Sequence, residues 1–159
     1  MILNRQRRVP VSMGLLRRFL SRARRALRLP AASLTICLVA DAEIARLNRA
    51  YRGKRGPTDV LSFPAKARET KRGKQRVNRR RKGLSPSASF TSSASYLGDI
   101  AIAPAVARRN ARRFRRSFND EMRILVLHGM LHLMGYDHET DTGQMDRRER
   151  RLRRTLGLA

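Results

Sequence analysis

All three histidines of the chain fall within one short stretch, HGMLHLMGYDH, and their spacing constrains the fold more than any other feature. His128 and His132 lie four residues apart in an apolar run, ILVLHGMLHLM. On a helix, both imidazoles therefore leave the same face about one turn apart. The helix is expected to begin at Asn119 as N-cap, with Asp120 and Glu121 in its first turn, where carboxylates suit the dipole. It is expected to stop at Gly135 in a left-handed cap. Tyr136 and Asp137 then let the chain turn, so that His138 can come back toward the same point.

Three neutral imidazoles suit zinc, and three protein ligands leave a fourth position for water. An ion held this way can lower that water's pKa to ~7, so the site is catalytic in form. The metal-free alternative is a helix carrying two buried or surface histidines. A third histidine past the helix stop, with none elsewhere, favours the metal. Ligating histidines usually donate their other ring N–H to a carboxylate or carbonyl. Asp137, Glu139 and Asp141 are candidates for that role, with turn or cap bonding as their alternative. Gly129 follows the first histidine, where helical zinc proteases carry a glutamate as general base. Peptide hydrolysis by that route lacks its base.

The rest of the chain reads as a framework around this segment. Leu16, Phe19, Leu20, Ala23 and Leu27 repeat at helical spacing over residues 14–28, with arginines opposite and Pro30 beyond. LTICLVA (34–40) is a buried strand. Asp41 is expected to cap a helix that places Ile44, Leu47 and Tyr51 on one face and ends near Gly53. Val60 to Phe63 form a strand stopped by Pro64, and LGDIAIAP (97–104) holds another, with Pro104 opening a helix. A last helix covers about 145–156, with Met145, Glu149, Leu152 and Leu156 in register. Between the two later strands lies a basic, then Ser-rich segment at about 65–95, expected as an inserted surface loop. The pattern predicts one α+β domain over residues 1–159, a small mixed sheet packed by about five helices.

Charge names a class of partner. Lys and Arg total 37 against 12 Asp and Glu, a net +25. Such an excess attracts polyanions, and nucleic acid is the expected one. An arginine-favouring lineage would give the same composition. With no Trp, three Tyr and five Phe, broad stacking platforms are not expected. No apolar run approaches the ~18 residues that span a bilayer, and residues 1–12 lack the pattern of a secretory signal. The single cysteine, Cys37, is expected as a buried, inert thiol. These features point to the cytoplasm.

HGMLHLMGYDH, together with YRGKRGPTDVLSFP (51–64) and LGDIAIAP (97–104), resembles the YbeY family of bacterial endoribonucleases. The likeness covers roughly 34–64 and 96–145, and more loosely the N-terminal arm. It implies a zincin-like α+β fold and one zinc ion per chain bound by His128, His132 and His138. It further implies single-strand endoribonuclease activity in maturation of ribosomal RNA, notably the 16S rRNA 3′ end, and in ribosome quality control. RNA, above all rRNA, and the ribosome or its proteins would be the partners. Arg52, in YRGK, matches an arginine the family's activity needs, so Arg52 and His128 become the expected catalytic residues. A guanidinium can grip a phosphate by two parallel hydrogen bonds. Asp59 is expected in capping or turn bonding, and Asp99, an acid inside a strand, either supports the site or does not. The long segment at about 65–95 departs from the family, whose members need only a short link there. Two other readings stand beside the nuclease: a metalloprotease, and a non-catalytic zinc-stabilised protein that binds rRNA.

Overall fold

The computed structural model describes residues 1–31, 33–65, 96–137 and 141–158. The expected inserted loop, apart from Ala65, and His138 and Glu139 all lie outside the described residues. Among the described residues, five helices pack around one mixed four-stranded sheet, the α+β arrangement that the hydrophobic pattern predicts.

The strands are β1 (Ile2–Asn4), β2 (Leu34–Leu38), β3 (Val60–Pro64) and β4 (Gly98–Ile102), ordered β1-β2-β4-β3. β1, β2 and β4 run parallel, and β3 pairs antiparallel with β4 as an edge strand. Strand alternation gives the sheet two faces. Ile36, Ile100 and Ile102 are fully buried on one of them, in the main core with Leu127 and Met130. On the other, Leu61, Ala101 and Ala103 form a smaller cluster with Val39 and Ile44.

The helices are α1 (Met13–Ala26), α2 (Asp41–Arg52), α3 (Pro104–Arg113), α4 (Phe118–Leu133) and α5 (Gln144–Leu156). α4 is apolar on most of its circumference because it lies in the middle, touching the sheet, α1, α3 and α5. α1 buries Leu16, Phe19, Leu20 and Ala23, and α5 buries Met145, Glu149, Leu152 and Leu156, as their spacing predicts.

Local details differ from expectation. β1 is an additional strand, too short and too exposed to show a period of two. Ser117, not Asn119, caps α4: its hydroxyl accepts the Asp120 N–H at 3.0 Å. Asp41 is the first residue of α2 rather than its cap, and its carboxylate accepts both terminal nitrogens of Arg109 at 3.1 Å. Pro64 is the last residue of β3, a position an edge strand tolerates. Cys37 is only partly buried, since its face of the sheet is incompletely covered. None of the helices, over the described residues, is long and apolar enough to cross a membrane.

Candidate functional site

A cleft of about 1030 Å³ opens along the edge strand β3. The end of α2 supplies Tyr51 and Arg52, and α4 supplies His128 and His132. Gly135, Tyr136 and Asp137, just past α4, complete that side. Gly135 sits at φ +89°, where a side chain would be strained, and its N–H closes on the His132 carbonyl at 3.0 Å. α4 therefore ends as its sequence predicts, and the chain turns directly beside the histidines.

The Nε2 atoms of His128 and His132 are 3.1 Å apart, and the two rings stand edge to face. His128 Nδ1 meets Glu149 Oε2 at 2.9 Å. Glu149 is buried, which pushes its carboxyl toward the neutral form, yet the His128 bond and the Arg153 guanidinium outweigh that and set its pKa below the ordinary glutamate value. Arg153 Nε donates to the other oxygen, Oε1, at 3.0 Å. An ionised carboxylate can only accept, so Nδ1 of His128 carries the hydrogen and Nε2 is the basic nitrogen.

This geometry fits a metal. Two ligands ~2.1 Å from one tetrahedral ion would be separated by roughly 3.4 Å, close to the spacing of the two Nε2 atoms. The carboxylate behind His128 is the orienting partner that such ligands have. Among the described residues no cluster of three or more metal-ligating side chains forms, and His138 is not among them.

Glu149 is the site residue the sequence did not single out. It stands in a core-facing register between Met145 and Leu152, and an acid at an apolar position needs a buried partner. Of the three acids expected near the histidines, Asp141 instead caps α5, accepting the N–H of Gly143, Gln144 and Met145. Asp137 lines the cleft, and Glu139 lies outside the described residues. Asp59 bonds Val60 N–H at 2.9 Å and Asn110 Nδ2 at 2.9 Å, tying the start of β3 to α3 as turn bonding predicts. Asp99 lines the cleft but shares its sheet face with Ala101, opposite the face that packs on α4, and holds the Tyr96 hydroxyl at 2.6 Å.

Gly129 has a packing reason. A Cβ there would come within 2.8 Å of Ile100 Cγ2, and the Gly129 carbonyl accepts a bond from Ser62 Oγ. The position that holds a glutamate in helical zinc proteases here presses into the sheet.

A Parvibaculum lavamentivorans protein named Endoribonuclease YbeY is 40% identical over 130 residues, 80% of this chain and 64% of that protein. A Koribacter versatilis protein of the same name is 35% identical over 158 residues, 99% of this chain and 86% of its own length. The chain thus spans just under two thirds of some relatives and most of others. The solution structure of a Thermotoga maritima protein superposes with a TM-score of 0.58 at 25% identity, covering 98% of this chain and 89% of that one. The family described as Endoribonuclease YbeY matches residues 2–157, and this chain belongs to that family.

Proposed function

We propose that the chain is a zinc-dependent, single-strand-specific endoribonuclease that matures rRNA, notably the 16S rRNA 3′ end, and serves ribosome quality control. One zinc ion per chain would be held by His128, His132 and His138. The observation that carries the reading is the His128–His132 pair, with Nε2 atoms 3.1 Å apart and Glu149 behind the first ring. Family membership supports the nuclease chemistry, and the net charge of +25 supports a polyanionic substrate. Ribosomal RNA and the ribosome would be the partners and the cytoplasm the compartment.

Bound zinc would supply a Lewis acid at the cleft. The chain's own residues do the rest. Arg52, at the cleft wall, would grip phosphate oxygens through its planar fork and steady charge as it builds. Glu149 fixes the tautomer and angle of His128. The strand edge of β3 forms the floor along which RNA would lie. Gly129 disfavours the protease reading.

Metal analysis of the purified full chain tests the assignment. We expect about one zinc per chain, lost in His128→Ala, His132→Ala and His138→Ala. In Glu149→Gln, affinity should fall roughly 10- to 100-fold. Undiminished zinc in the triple-alanine variant would remove the site.

A further inference from the structure

Tyr51 is 68% exposed at the end of α2, in a chain with only three tyrosines and five phenylalanines. Its ring packs edge to face on Phe63 of β3, centroids 4.9 Å apart and planes at 72°. That contact fixes the ring's angle while most of its surface stays in water. Both rings line the cleft that contains Arg52 and the histidine pair. A scattered exposed apolar side chain is ordinary. One braced by a second aromatic, next to an arginine and across a cleft from two imidazoles, is a surface shaped for a flat ligand on an anionic backbone.

We propose that Tyr51, braced by Phe63, is a nucleobase-stacking subsite that takes one unpaired base of the strand whose phosphates pass Arg52 toward His128 and His132. It rests on the ribonuclease reading for the identity of that strand. Every base has a π-face, so the subsite tolerates any sequence. Bases inside a duplex have both faces covered by their neighbours, so the subsite selects single strands. The stacking surface is the ring, and the hydroxyl is dispensable.

The test is a binding cycle on the full chain, read by anisotropy of labelled single-stranded RNA. One oligomer is intact, and the other has the same length and phosphates but abasic sugars. Wild type and Tyr51→Phe should prefer the intact strand by about tenfold, the scale of one base stacked on an aromatic ring. Tyr51→Ala should lose most of that preference while binding the abasic strand as wild type does. If Tyr51→Ala keeps the full preference for bases, or weakens both strands equally, the subsite is overturned. Binding is measured independently of cutting. A chain that cuts no RNA but shows the preference would sink the nuclease reading and leave the subsite standing.

Discussion

One carboxylate serves two helices at the centre of the site. Glu149 reaches from α5 to His128 on α4 with one oxygen and to Arg153 with the other. Burial of a lone acid there would be costly, so the two partners account for its being ionised. Arg52 works differently, because it is exposed and acts through shape as well as charge. Arg52→Lys keeps the charge and loses the bidentate fork. RNA affinity should stay within a few-fold, while turnover falls on the order of 10²-fold, as for a contact made mainly in the transition state. Single-turnover kinetics beside a binding isotherm separate the two. A lysine variant with unchanged turnover would return Arg52 to the ordinary surface arginines.

Helix ends make sharper predictions at the scale of elements. Ser117 supplies the α4 cap, so Ser117→Ala should cost about 1 kcal/mol in urea unfolding. Asn119→Ala, inside the first turn, should stay within about 0.5 kcal/mol; the reverse order would move the cap. Asp141 caps α5, and its carboxyl lies below the ordinary aspartate value, chiefly because of the Met145 N–H. A depressed folded pKa means the contribution is present above the unfolded value, near 4, and is lost as pH falls through the folded one. The gap in thermal midpoint between wild type and Asp141→Ala should therefore be flat at neutral pH and shrink in acid below about pH 4. These elements also show what a sequence can reveal. His128 and His132 were legible because helix periodicity alone places them together. Gly53 and Gly135 marked their helix ends, and Pro104 opened α3. Glu149 was not, since it meets His128 across 21 residues only through the packing of α4 on α5. Ser117 and Asn119 are both good caps two residues apart, and hydrogen-bond geometry decides between them. β1 exists because β2 has an open edge to pair with, not because ILN shows any pattern.

For the whole molecule, charge and cleft point the same way. A net charge of +25 opposes compaction and favours a long anionic partner. The cleft along β3 gathers an arginine, two imidazoles and an aromatic pair on which such a partner could be held and cut. The most direct measurement is cleavage of an end-labelled single-stranded RNA by the zinc-loaded full chain, run beside His132→Ala. We expect internal cuts by wild type, and RNA that is bound but left whole by His132→Ala. Intact RNA after incubation with wild-type protein carrying one zinc per chain would contradict the endoribonuclease assignment.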